Sequence, residues 1–205
     1  IVAVVLSHFF TNFSDEERKQ MIASAYNEET FRDEQIVPLH SMDTDLSISE
    51  LFHGRTLAFK DLALSLFPYL LTAAKKQEKE DRNILILTAT SGDTGKAALE
   101  GFKNVPGTNI MVFYPSEGVS PMQKQQMQKQ EGNNVNVSAI YGNFDDAQSF
   151  LKRVFTNKAV NEYADKKGVL FSSANSINVG RLFPQVAYYV STYVSLVDTG
   201  CINAG

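Results

Sequence analysis

The chain has 205 residues, enough for one good core or for one domain with part of another. Hydrophobic residues make up 43% and charged residues 20%, the balance of an ordinary globular protein. The net charge of −4 argues against a nucleic-acid binder, and a single cysteine, Cys201, excludes an intrachain disulfide and a cysteine-rich metal site.

The opening IVAVVLS is too short to span a membrane and carries no positively charged leader. It reads as a buried strand or an irregular core segment. The missing initiator Met and the closing VDTGCINAG lead us to expect a piece of a longer chain. Ser14-Asp15-Glu16-Glu17 has the capping-box pattern and predicts a helix to about Tyr26. VPLHSMD, residues 37–43, reads as loop and short strand. Thr56 is expected to cap the next helix. Its apolar positions Leu57, Lys60, Leu64, Phe67 and Leu71 recur every three or four residues, and Phe59, Leu62, Leu66 and Leu70 cover another face. That helix is expected to be buried, with a kink or break at Pro68. KKQEKEDR, residues 75–82, is its solvated end.

A strand–helix rhythm follows. NILILTAT (83–90), NIMVFY (109–114), NVNVSAIY (134–141) and VLFSSA (169–174) predict four strands. Between them lie a helix after SGDTG (91–95), a helix opened by Ser120-Pro121 and running to about Glu131, and a helix over DDAQSFLKRVFTNKAVNEYA. A long helix runs from about Arg181 to Leu196. The pattern predicts an α/β fold: a parallel sheet with helices on both faces, and ligands beyond the C-terminal strand ends. The expected organisation is an N-terminal segment (1–82) holding the Lys60 helix, strand–helix repeats (83–176), and a long helix (177–205) leading into a further C-terminal part.

Three features carry chemistry. Lys60 sits in an apolar run, where a lysine either snorkels to water or serves as an amine of lowered pKa. Asp61 is next to it but points off the same direction. TATSGDTGKAALEGF puts Gly92 and Gly95 in a turn between strand and helix, with Ser91, Asp93 and Thr94 beside them. Such a turn either receives an anion on free N–H groups or is a tight turn capped by Asp93 or Thr94. It lacks both the dinucleotide and the nucleoside-triphosphate loop spacings. SSANSINVGR (172–181) offers Asn175, Ser176 and Asn178 as neutral donors and Arg181 as a forked cation; the plainer reading is helix caps and one surface arginine. In a parallel sheet both turns open on the same edge. His53 either binds substrate or packs, while His8 and His40 read as structural. No H-E-x-x-H or G-x-S-x-G motif occurs, which argues against a protein-held catalytic metal and a serine hydrolase.

HGRTLAFKD, TATSGDTGKAAL and SSANSINVGRLFPQ, in this order, resemble the signature segments of the threonine synthase family over roughly residues 45 to 195. That family has the tryptophan-synthase-β-like fold, fold type II of the pyridoxal-phosphate enzymes. It converts O-phospho-L-homoserine and water to L-threonine and phosphate. The resemblance implies that Lys60 is the Schiff-base lysine. It implies that Ser91, Gly92, Asp93, Thr94 and Gly95 approach the cofactor ring and the substrate carboxylate. It also implies that Asn178 and Arg181, with Ser176, face the substrate phosphate. Arg55 stands where the family's HGPTLAFKD form has proline. The family's later glycine-rich loop, which grips the cofactor phosphate, is expected beyond residue 205, so this polypeptide alone is expected to bind cofactor poorly and to be weak or inactive. Two other readings stay open: a threonine dehydratase-like lyase of the same fold, and a non-catalytic anion-binding module. The implied role and the lack of targeting signals lead us to expect a cytoplasmic protein, with no membrane or nucleic-acid partner and an open oligomeric state.

Overall fold

The computed structural model describes residues 1–204, which form two compact units, Ile1–Tyr69 with the chain from Val179 onward, and Leu70–Asn178.

The first unit opens with α1 (Val2–Phe9) and not with a strand. β-branched residues favour strands only weakly, and packing overrides that preference. Here Val5 and Leu6 bury one helical face, and Phe9 stacks on Phe183 with ring centroids 4.0 Å apart. Next comes α2 (Asp15–Ala25), and its capping box forms as expected: Ser14 Oγ accepts from Glu17 N, and Glu17 Oε2 accepts from Ser14 N at 2.8 Å. A hairpin of β1 (Leu39–Asp43) and β2 (Leu46–Ser49) follows.

The helix expected from Thr56 does not start there. Residues 55–60 are turns, and α3 covers only Asp61–Leu64. The chain turns again before α4 (Phe67–Gln77), whose first turn contains Pro68. The apolar spacing is real, since Leu62, Ala63, Leu64, Leu66 and Phe67 are all buried. Leu57, however, has φ +61, in the left-handed region, which a helix cannot contain.

In the second unit β3 (Asn83–Ala89) leads through the SGDTG turn to α5 (Asp93–Phe102), then β4 (Thr108–Pro115), α6 (Pro121–Gln128) and β5 (Val135–Ile140). The single helix expected after β5 is two, α7 (Phe144–Thr156) and α8 (Lys158–Lys166). Asn157 ends the first and caps the second, its side chain accepting from Val160 N at 3.1 Å. β6 (Val169–Ser173) completes a four-stranded sheet of order β5-β4-β3-β6, parallel throughout. Helices cover both faces, as the rhythm predicts. Leu87 and Ala89 pack with Ala147 and Leu151 of α7 on one side. On the other side α5 packs on β3 and β4, where Ile84, Ile86, Ile110 and Val112 are buried.

At the N-terminal end of β3, Arg82 Nε donates to Glu80 Oε1 at 2.9 Å, and its terminal nitrogens reach Glu80 and Asp165 of α8. Hydrogen bonds from Arg82, side chain first and then backbone, hold the Glu80 carboxyl at about 2, well below its ordinary 4.5. A depressed folded-state pKa gives stability that is complete above the unfolded value and is lost as pH falls through the folded one. Glu80→Gln is therefore expected to flatten the fall in melting temperature between pH 4.5 and 2, measured against the parent chain across that window.

The chain returns to the first unit through α9 (Val179–Leu182), a 3₁₀ turn at Phe183–Gln185 and α10 (Val186–Asp198). The long helix expected from Arg181 is thus broken at Pro184, which has no N–H to give to the ladder. α9 packs against α3.

Candidate functional site

In the first unit the segment 53–61 is organised around Asp61, not around Thr56. Asp61 is 3% exposed, and its carboxylate accepts from Thr56 N at 2.8 Å and from Thr56 Oγ1 at 2.6 Å. A carboxylate buried this far needs such donors. Gly54 lies against it, and a Cβ there would fall 2.4 Å from Asp61 Cβ. The HGRT turn and the start of α3 therefore form one clamp. Lys60 directly precedes α3, is half-buried, and carries its Nζ 4.3 Å from the Phe59 ring centroid.

His53 turns toward its own segment. Its Nε2 shares a 2.6 Å hydrogen bond with Glu50 Oε2, and its ring stacks on Phe52. His40 Nε2 lies 3.7 Å from the other Glu50 oxygen. Arg55 is exposed and donates from Nε to Glu29 O at 3.3 Å. A proline at this position would lose that bond.

Arg181 is also in the first unit, in α9. It is 4% exposed, which corrects its reading as a surface arginine. It lies near Tyr188, whose phenol is pushed up chiefly by burial.

The second unit gathers the SGDTG turn with Ser176 and Asn178 at the C-terminal edge of the sheet. Thr90 is the hidden centre of that turn. It is 1% exposed, and its Oγ1 accepts from both Gly92 N and Gly95 N at 2.9 Å. Asp93 Oδ1 accepts from Thr94 N at 2.8 Å. Of the two readings of this turn, the structure shows the tight one at these three amides, each bonded to a side chain of the turn itself. The helix cap is neither Asp93 nor Thr94 but Gly92, with φ +155 and Gln123 packed where a Cβ would stand. Ser91 is left exposed at the tip, and Thr94 is half-buried.

The second turn is likewise partly committed. Asn175 does not offer its amide outward: Oδ1 accepts from Ala89 N at 3.1 Å and Nδ2 donates to Ala89 O at 2.9 Å. Ser176 is exposed, and Asn178 Nδ2 donates to Ser172 Oγ at 3.4 Å. Thr90 and Asn175 are the two residues whose roles sequence reasoning missed. Their position just past a strand end was the available signal. Among the described residues no cluster of His, Cys, Asp and Glu has the geometry to hold a metal ion.

Comparison with known proteins shows what this chain is similar to. No family model matches the chain. It is 35% identical over 196 residues to threonine synthase of Schizosaccharomyces pombe, covering 93% of this chain and 37% of that protein. It is 38% identical over 192 residues to human threonine synthase-like 1, covering 91% of this chain and 25% of that one. The chain is a threonine synthase homologue. The crystal structure of pyridoxal-phosphate-bound threonine synthase from Brucella melitensis superposes with a TM-score of 0.78 at 37% identity, covering 95% of this chain and 41% of that one. The yeast threonine synthase structure gives 0.78 at 32% identity, covering 96% and 39%. The parallel-sheet fold expected from the resemblance is therefore the fold of solved threonine synthases. This homologue spans between a quarter and about two-fifths of the length of these relatives.

Proposed function

We propose that the gene-encoded polypeptide containing this chain converts O-phospho-L-homoserine and water to L-threonine and phosphate, with pyridoxal phosphate as cofactor. The observation that carries this reading is Lys60, a half-buried lysine beside the Thr56–Asp61 clamp, in a chain 37% identical to a pyridoxal-phosphate-bound threonine synthase.

The residues fit that cofactor. A primary amine suits an aldehyde. The 91–95 turn is already satisfied by Thr90, so it meets a ligand as a rigid surface with the Ser91 hydroxyl outward. In this reading Lys60 holds the cofactor, and Ser91, Gly92, Asp93, Thr94 and Gly95 line its ring, with Ser91 and Thr94 toward the substrate carboxylate. When bound, the cofactor supplies an electron sink for the α-carbon. The Lys60 amine takes the proton from the substrate Cα and returns one later, acting as base and then as acid. A Cβ proton is lost as phosphate leaves Cγ, a proton is added at Cγ, and water gives its hydroxyl to Cβ and its proton to the released phosphate. Asn178, Ser176 and Arg181 face the departing phosphate. A buried guanidinium is screened less than an exposed one, so Arg181 stabilises that charge more strongly.

The test is product analysis with O-phospho-L-homoserine and pyridoxal phosphate. Threonine and phosphate in equal amounts support the reading. A 2-oxo acid formed from threonine instead assigns the lyase. Absence of any cofactor absorbance band with the gene-encoded polypeptide leaves the non-catalytic anion-binding module. No helix among the described residues is long and apolar enough to cross a membrane. The biosynthetic role on this reading belongs to the cytoplasm.

A further inference from the structure

We propose that Asn175 is a positioning residue that makes the 91–95 turn and the 174–178 turn one mechanical unit. In a parallel sheet the N–H and C=O of a given residue point to the same neighbour, and successive residues alternate sides. Along β3, Ile84 N donates to Gly107 O and Thr90 N to Phe113 O, both toward β4, whereas Asn83 N donates to Gly168 O, toward β6. Ala89 therefore turns both of its polar groups toward β6. The β3–β6 ladder, however, ends at Leu87 and Ser173. Ala89 is fully buried, so those groups need partners that no strand supplies. Asn175 supplies both from one side-chain amide, which takes the place of the next strand residue.

Asn175 is held in turn by its own backbone. Its N–H donates to Ser173 Oγ at 3.2 Å, and its C=O accepts from Asn178 N at 3.0 Å. On the far side, Ala89 is bonded covalently to Thr90, which holds Gly92 and Gly95. A continuous path thus joins Asn178 to the SGDTG amides through Asn175, Ala89 and Thr90. A ligand that orders one turn orders the other through this path. The functional consequence rests on the reading of these turns given above; the coupling itself does not.

Site-resolved amide hydrogen exchange on the chain tests it. Asn175→Ala is expected to speed exchange at Gly92, Gly95 and Asn178 by roughly tenfold, the loss of about one hydrogen bond. Asn133, whose amide bonds to Asn104 at the opposite edge of the sheet, is expected to keep its rate. Thr90→Val is expected to free Gly92 and Gly95 while leaving Asn178 unchanged, and Thr90→Ser to restore both glycines. With pyridoxal phosphate added to the gene-encoded polypeptide, Asn178 gains protection as well as the glycines, and in its Asn175→Ala variant the glycines alone gain it. Acceleration confined to 175–178, or spread evenly over every amide, would overturn the proposal. If the gene-encoded polypeptide takes up no cofactor, the proposed function fails, and the ligand-free exchange still decides the coupling.

Discussion

Lys60→Ala is expected to abolish cofactor capture and turnover while leaving the fold in place. The asymmetry follows from what Lys60 touches. Its ammonium lies over the Phe59 ring at 4.3 Å, and Phe59 is itself exposed. A cation–π contact at such a site contributes about 0.5–1 kcal/mol, and Lys60 is half-buried at a turn outside the packed core, so the variant is expected to stay folded. In the clamp beside it the Asp61 carboxylate accepts from Thr56 N and Oγ1, and the substitution removes neither donor. Chemistry, by contrast, depends on this amine twice on the proposed function, once to hold the cofactor and once to move the Cα proton. Lys60→Arg keeps the charge and the ring contact but offers no amine of the right kind. It is expected to behave like alanine in turnover and like the parent in melting. Turnover and melting curves measured on both variants separate these contributions. Wild-type turnover in either variant would reject the assignment.

Gly95→Ala is expected to be the most disruptive single-methyl change in the second unit. Two effects oppose each other. Gly95 lies inside α5, where alanine is favoured over glycine by up to about 1 kcal/mol. Against this, a Cβ would lie 2.5 Å from Thr90 Cγ2, 2.8 Å from Met127 Sδ and 2.9 Å from Val112 Cγ1. All three are buried side chains in a filled layer between α5, α6 and the sheet. Overpacking of this kind costs about 1–3 kcal/mol, so the clash wins. The displaced neighbour is Thr90, whose hydroxyl holds Gly92 and Gly95, so the strain falls on the turn itself. Urea unfolding should show a net loss of about 1–2 kcal/mol. Cofactor affinity should fall with it. A stabilised Gly95→Ala would mean that helix propensity decides at this position.

The sheet was readable because burial on both faces leaves long apolar runs such as NILILTA, and because turn residues punctuate them. Helices were readable where a cap declares the start, as Ser14 and Ser120 do. The failures share one cause. Periodicity records which side chains are buried, not the backbone path that buries them. Residues 56–71 have helical spacing, yet Leu57 takes a left-handed φ because Thr56 is tied to Asp61 five residues on. In IVAVVLS the same limit worked in reverse, and packing of Val5 and Leu6 overrode a β-like composition. At the site, Lys60 stood out because a cation in an apolar run is anomalous. Asn175 and Thr90 did not, because sequence shows that a residue can hydrogen-bond but not whether its bonds are already taken. Asn175 looks like a ligand donor in SSANSINVGR, and the end of β3 uses it.

On the proposed function, Lys60 is the amine that holds the cofactor. The most direct measurement is borohydride reduction of the gene-encoded polypeptide after incubation with pyridoxal phosphate, followed by peptide mass mapping. One phosphopyridoxyl group is expected, on the peptide containing Lys60, and none in Lys60→Ala. Stoichiometric label on another lysine, with Lys60 unmodified, would contradict it.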